Sequence, residues 1–268
     1  MPELPEVESI RLQLERFLVG AKPRGGRATL CGHKIEKIEV KNRRIFADDE
    51  KKIIGAKFIG ARRFGKVLVL DLNNKLSLMA HVKMTGQFIY RGPNLTNPPK
   101  LSTKVTGGIP GIHTHVIFDL DRGGKLYFND FRRFGWIKIV PTIEVEKTGL
   151  VGKMGPEPFS GLTFEKFQVA ISKTHRPIKV VLMDQAKIAG VGNIYANDAL
   201  WLSKIDPKKP STTLGGEEQK KLYDAIHSVL KEGMKYGGSS ENSFVTPDGT
   251  EGQYQRHTLV YGKQGEIC

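Results

Sequence analysis

Five segments between residues 66 and 140 alternate apolar and polar side chains with a period of two: KVLVLDL (66–72), KLSLMAHV (75–82), THVIFDL (114–120), KLYFNDF (125–131) and GWIKIV (135–140). A strand points successive side chains to opposite faces, so this period predicts half-buried strands. Asn73-Asn74 and Arg122-Gly123-Gly124 sit where hairpin turns belong. Ahead of the strands, Val7, Ile10, Leu14, Phe17 and Leu18 recur at helical spacing, and Gly20 follows as a stop. Pro5 suits the first turn of that helix, because the N–H it lacks would have no partner there. Residues 1–140 are therefore expected to form a helix of about four turns plus an antiparallel β-sandwich. Two Gly- and Pro-rich stretches, 20–32 and 91–111, read as surface loops inserted in it.

After PTIEVEKTGLVGKMGPEPFSG (141–161), which reads as a linker, the period becomes helical over 163–173, 177–185, 193–203 and 217–236. The last of these carries Leu222, Ile226, Val229, Leu230 and Met234 on one face and ends at Gly237-Gly238. From Phe244 onward the pattern returns to loop and short strand. The expected class is α+β, with a sandwich domain at 1–140, a linker at 141–160 and a helical domain at 161–268.

The chain carries 42 Lys and Arg against 28 Asp and Glu, a net +14, and a folded chain this basic most often faces a polyanion such as nucleic acid. Its two cysteines, Cys31 and Cys268, are too few for a disulfide framework and suit a reducing cytoplasm. There is no signal-peptide pattern and no apolar stretch near ~18 residues, so neither secretion nor membrane spanning is expected.

The head, MPELPEVE, packs three carboxylates into this basic chain. Pro is small enough for Met1 to be removed, which leaves Pro2 as the N-terminus. An α-amino group has a pKa near ~8, against ~10.4 for Lys, so far more of it is unprotonated at neutral pH. A secondary amine condensing with a sugar aldehyde forms a cationic iminium, which is a strong electron sink. Glu3 neighbours that amine and can exchange protons during ring opening. Glu6 and Glu8 have a local explanation, since acid in a first helical turn is favoured by the macrodipole.

MPELPEVE resembles the N-terminal signature of the formamidopyrimidine-DNA glycosylases. The resemblance continues in order through RRFGK (62–66), HVKMTG (81–86), DFRRFG (130–135), MGPEP (154–158), VLMDQAKIAGVGNIYANDAL (181–200) and VYGKQGE (260–266). It implies a bifunctional base-excision enzyme that removes oxidised purines from duplex DNA and cleaves the strand at the abasic site. Pro2 matches the family's nucleophile, Glu3 its sugar-protonating acid, and Lys66 a lysine near the target phosphate. His81 matches a phosphate-contacting histidine, and His113 falls near a further DNA-contacting one. Met84, Arg132 and Phe134 match the plug, the cation toward the orphaned base and the wedge that fill the gap left by a flipped nucleotide. AGVGNIYANDAL reads as a glycine turn opening a helix at Asn193. Its free N–H groups form a phosphate site resembling the family's helix–two-turns–helix motif, and Tyr261 matches another phosphate contact. Residues 239–255 correspond to the loop that closes over the flipped base, with Glu241, Asn242, Ser243 and Phe244 supplying backbone donors.

The family continues past GE-x-C into a hairpin finger that holds zinc through four cysteines. Cys268 is the first of these and the last residue here, so the expectation is a fold lacking the finger and a chain without a metal or other cofactor. The expected partner is duplex DNA bearing oxidised bases or abasic sites, bound by a cytoplasmic monomer with no membrane association. The alternatives are a non-catalytic damage-binding relative and the same chemistry on oxidised pyrimidines.

Overall fold

The structure is a computed structural model that describes residues 1–20 and 32–267. Cys31, Cys268 and most of the 20–32 stretch lie outside the described residues. Eight strands form two antiparallel four-stranded sheets. Strands β1 (Ile35–Val40), β2 (Phe58–Phe64), β3 (Val67–Leu72) and β4 (Leu76–His81) come first, then β5 (Gly86–Arg91), β6 (Thr114–Leu120), β7 (Lys125–Asp130) and β8 (Trp136–Pro141). One sheet has the order β1-β6-β7-β5 and the other β2-β3-β4-β8, and they face each other across a core that includes Phe46, Phe88, Phe118 and Phe128.

The five strands expected from alternation are all present, but β3, β4, β6 and β7 are buried on nearly every residue instead of half-buried, because loops and the 141–161 segment cover their outer faces. The β3–β4 hairpin turns through Asn73-Asn74 with Lys75 at φ 65°, and the β6–β7 turn has Arg122 at φ 57°. Three strands escape the pattern for separate reasons. In β1 (IEKIEV) only Ile35 and Ile38 are buried. In β2 (FIGARRF) a register shift between Phe58 and Gly60 breaks the alternation. β5 (GQFIYR) is buried on both faces and carries Phe88, Ile89 and Tyr90 in succession, so its short run shows no alternation.

Helix α1 (Leu4–Leu14) is shorter than the four turns expected, because the chain widens into a π-turn over Glu15–Val19 before stopping at Gly20, φ 93°. All five periodic apolar residues are buried. The helix belongs to both halves of the molecule: Leu4 packs in the helical core, whereas Val7, Ile10 and Leu14 pack in the sandwich core. The helical part comprises α2 (Phe164–Ser172), α3 (Ile178–Leu182), α4 (Asn193–Leu202) and α5 (Gly216–Lys235). α3 is a stub of five residues, and the stretch after it turns instead of continuing to 185. The 141–161 segment is no free tether: Val145 and Val151 are buried against Val67, Val69 and Met79. Beyond Phe244 the described residues contain a 3-10 turn (Tyr254–Arg256) but no strand, contrary to expectation.

Candidate active site and nucleic-acid interface

The first turn of α1 lies where the two cores meet, and its carboxylates are held from both sides. Glu3 caps the helix; its backbone N–H donates to Glu6 Oε2 at 2.7 Å. Its own Oε1 accepts from Ile194 N–H at 2.9 Å, in the first turn of α4. That approach requires glycine at 192, since a Cβ there would fall 2.4 Å from Glu3 Cδ. Glu3 Oε2 is buried with no hydrogen-bond partner among the described residues. Burial, with Glu6 adding to it against the opposing pull of Lys66, raises the Glu3 pKa to about 7. Near neutral pH this carboxyl can therefore either give or take a proton.

Glu6 has a larger role than its position in a first helical turn indicates. It is 1% exposed. Its Oε1 accepts from Tyr195 Oη at 2.7 Å and from Ser239 N–H at 2.6 Å. One side chain thus ties α1 to α4 and to the segment after α5. Gly238 (φ 86°) leaves the room, because a Cβ there would lie 2.8 Å from Glu6 Oε1. No local pattern marks such a hub; the only sequence signals are the distant glycines and Tyr195. Glu8 is likewise engaged at 3.0 Å by Arg63, which also reaches Glu157 at 2.6 Å and so joins the RRFGK and MGPEP motifs.

Lys66 is buried beside this pair. Its Nζ donates to Val191 O at 2.9 Å, and burial lowers its pKa against the pull of Glu3 and Glu6. His81 ends β4. Its Nδ1 accepts the Lys83 N–H at 3.0 Å, and burial, with Lys83 and Lys66 adding to it, lowers its pKa to about 4. At neutral pH it is an uncharged imidazole whose Nε2–H is free to donate.

Pro2, Glu6, Met84, Ser239 and the 241–244 segment line one small cleft. Glu241 and Asn242 are exposed at its rim, whereas the Phe244 side chain is buried in the sandwich core. The Met84 turn also carries Thr85, whose Oγ1 donates to Asp130 and accepts the Arg132 N–H at 3.0 Å. The buried Asp130 carboxylate accepts the Gly135 N–H at 2.7 Å as well, which fixes both ends of the 131–134 turn. From that turn Phe134 projects 57% exposed, with the Arg132 guanidinium 4.9 Å from its ring centroid. His113 packs edge-on against Phe131 at 5.0 Å and lines a crevice with Ser243.

Asn193 is exposed at the first position of α4. Tyr261 is not among the residues lining the cleft; it packs half-buried on the helical core. Its segment is tied to α4 by buried Asp198, which accepts the Leu259 and Val260 N–H groups at 3.1 Å. Among the described residues no group of three or more His, Cys, Asp or Glu could hold a metal. No described helix is long and apolar enough to cross a membrane.

The chain that brings together this buried acid, the lysine, the chain terminus, the exposed Phe–Arg turn and the helix N-terminus matches relatives along its whole length. The profile described as Formamidopyrimidine-DNA glycosylase N-terminal domain matches residues 1–137, and that described as Formamidopyrimidine-DNA glycosylase H2TH domain matches 154–245. The formamidopyrimidine-DNA glycosylase of Desulforamulus reducens is 36% identical over 272 residues, covering 100% of this chain and 90% of the relative. That of Pelotomaculum thermopropionicum is 35% identical over 269 residues with the same coverage. Among solved structures, the MutM (Fpg) protein of Thermus thermophilus has a TM-score of 0.82 at 33% identity, covering 100% of this chain and 90% of that one. The Lactococcus lactis Fpg, in a complex with DNA containing an abasic site, has a TM-score of 0.81 at 31% identity, covering 99% and 90%. With both profiles matched and full-length relatives at 35–36% identity, the chain belongs to the formamidopyrimidine-DNA glycosylase family.

Proposed function

We propose that this chain excises oxidised bases through the cleft at the head of α1, with Pro2 as nucleophile and Glu3 as acid. Its family makes it a base-excision repair DNA glycosylase and abasic-site lyase acting on oxidised lesions in duplex DNA. The observation that carries the mechanism is the Glu3 carboxyl: one oxygen is fixed by Ile194, the other has no partner among the described residues, and the pKa is about 7. Once Met1 is removed, the Pro2 amine attacks the sugar C1′, forming an N–C1′ bond as the bond to the damaged base breaks. Glu3 protonates the sugar as its ring opens. The resulting iminium acidifies the C2′–H, and as that proton is lost the C2′–H electrons expel the 3′ phosphate with cleavage of its C3′–O bond.

Lys66 and His81 hold the target phosphates, one as a cation and the other as a neutral donor. Asn193, His113 and Tyr261 grip the flanking backbone. Met84, Arg132 and Phe134 occupy the gap left by the flipped nucleotide, and Glu241 to Phe244 close over the base. Residues 1–140 are the catalytic sandwich and 161–268 the DNA-binding helical domain, joined through 141–160. The enzyme acts as a monomer on the chromosome in the cytoplasm.

Oxidised purines, 8-oxoguanine and ring-opened formamidopyrimidines, are the proposed substrates. Oxidised pyrimidines are the second reading, because the Lactococcus lactis Fpg was solved with DNA containing one. Borohydride reduction on duplexes carrying each lesion, followed by peptide mass spectrometry, tests both assignments. The expected adduct is on Pro2, with the purine lesion trapped faster. Active enzyme that retains Met1, or an adduct on a lysine alone, overturns the mechanism.

A further inference from the structure

The loop between β5 and β6, which read as a surface insertion, is fastened to the segment assigned above as the lesion loop. Ser102 N–H donates to Gly249 O at 2.9 Å, and Ser102 Oγ donates to Glu251 Oε1 at 2.5 Å. Lys104 Nζ donates to Glu251 Oε2 at 2.8 Å and also to Ser240 O. The two loops share one further donor: the buried Gln87 amide gives its N–H groups to Lys104 O at 2.9 Å and Ser243 O at 2.6 Å. Ser243 Oγ in turn donates to Met84 O at 2.7 Å. Beneath these contacts Val105, Leu101 and Ile109 pack with Val245 and Ile89. Gly249 sits at φ 89°, a conformation that disfavours any side chain, and a Cβ there would also press on Leu101 Cδ2 at 2.4 Å.

We infer that the 92–111 loop is a positioning element for base capture, with Lys104 and Ser102 holding residues 239–251 in the arrangement that receives an extruded base. The inference rests on the reading of 241–244 as the lesion loop. A charged donor with two acceptors on one segment holds that segment more firmly than neutral contacts do. The chain of bonds ends at the backbone oxygen of Met84, on a turn held separately by Gly86 N–H to Val82 O and by Thr85 to Asp130, so displacing the brace frees the cap over the base and leaves the plug in place. An abasic site presents no base to cap, so the brace matters for lesions that still carry one. Lys104 acts through the loop and touches no reacting atom.

The test compares single-turnover excision of 8-oxoguanine with cleavage of a preformed abasic duplex, using the full chain. For Lys104→Met, and for Lys104→Met with Glu251→Gln so that no carboxylate is left unpaired, excision should fall about tenfold or more, the scale of one or two lost charge-assisted hydrogen bonds. Abasic-site cleavage should stay within about twofold, because positioning losses fall on the step that needs the positioned group. Lys104→Arg should restore excision. Equal losses on both substrates together with a lowered melting temperature would show a purely structural role, and unchanged excision would overturn the inference directly. Replacing Glu241-Asn242 by Gly-Gly separates the two layers of the argument. If that variant excises normally, the lesion-loop reading fails and the inference with it. If it is impaired while Lys104→Met is not, only the brace is refuted.

Discussion

Glu3→Gln is expected to stabilise the protein as pH rises while abolishing base excision. A carboxyl whose pKa climbs from 4.5 in the open chain to about 7 in the fold binds its proton more tightly when folded. Its contribution to stability is complete below pH 4.5 and is lost as pH rises to 7; above that, both states are ionised and the difference stays constant. At about 1.4 kcal/mol per pH unit the loss comes to about 3 kcal/mol. Glutamine has the same shape and does not titrate, so the variant should not show this loss. The comparison depends on the change across the pH range and not on absolute stability. The cost of burying an amide N–H where Oε2 has no partner is the same at every pH and cancels. Urea unfolding of both proteins from pH 4.5 to pH 8 measures it directly. By melting temperature, at about 2–4 °C per kcal/mol for a chain of roughly this size, the gap should widen by about 6–12 °C. On DNA, the variant should fail to release 8-oxoguanine yet retain some cleavage of preformed abasic sites, where the glycosidic bond is already gone. Parallel stability profiles for the two proteins would show that Glu3 is an ordinary ionised carboxylate in the fold, and its assignment as the acid would fall.

Gly192→Ala places a Cβ 2.6 Å from Glu3 Oε1 and must displace the carboxylate from Ile194 N–H. Losing a charged hydrogen bond of about 1.5–3 kcal/mol predicts an excision rate lower by about 10- to 100-fold. Gly216→Ala, where a Cβ meets nothing within 4 Å, should leave the rate unchanged and serves as the control. Phe134→Ala should weaken binding to lesion duplex by about 1–3 kcal/mol, the scale of base–aromatic stacking, and weaken binding to undamaged duplex less. Because Phe134 is 57% exposed, its removal should not lower the melting temperature; a lowered one, with equal loss on both DNAs, would make it a core residue instead.

What could be read in the sequence, and what could not, divides along a physical line. Alternation revealed the β3–β4 hairpin because Asp71 and Ser77 still break its apolar runs, although both faces are covered and Val67, Val69 and Met79 lie under the 141–161 segment. It failed for β5, where Phe88, Ile89 and Tyr90 run together without a polar break, and Ile89 is covered by Val245, a residue far along the chain that no local window contains. The same limit applies at the site. Pro2 and Glu3 were singled out by the chemistry of the chain head, and Lys66 only by resemblance to a family. Glu6 was passed over because a first-turn acid already has a sufficient local cause, and its partners Tyr195 and Ser239 lie 189 and 233 positions away. Asp130 and Asp198 were missed for the same reason, since a carboxylate that receives backbone N–H groups looks in sequence like any other surface acid.

Glycine carries the signal that those acids lack. Gly192 was read as the bend that frees a helix N-terminus for phosphate, yet the structure gives it a second obligation, to make room for Glu3. The two roles are connected, since the turn that opens α4 is the one that delivers the Ile194 N–H to the Glu3 carboxyl. α1 is packed by Leu4 into the helical core and by Val7 into the sandwich core, so any slip between the two halves would move Glu3 relative to Ile194. The Glu3 carboxyl is thus set by the packing of the sandwich against the helical part, and if it is the acid, a substitution at that junction should lower excision without touching a residue proposed to meet the DNA.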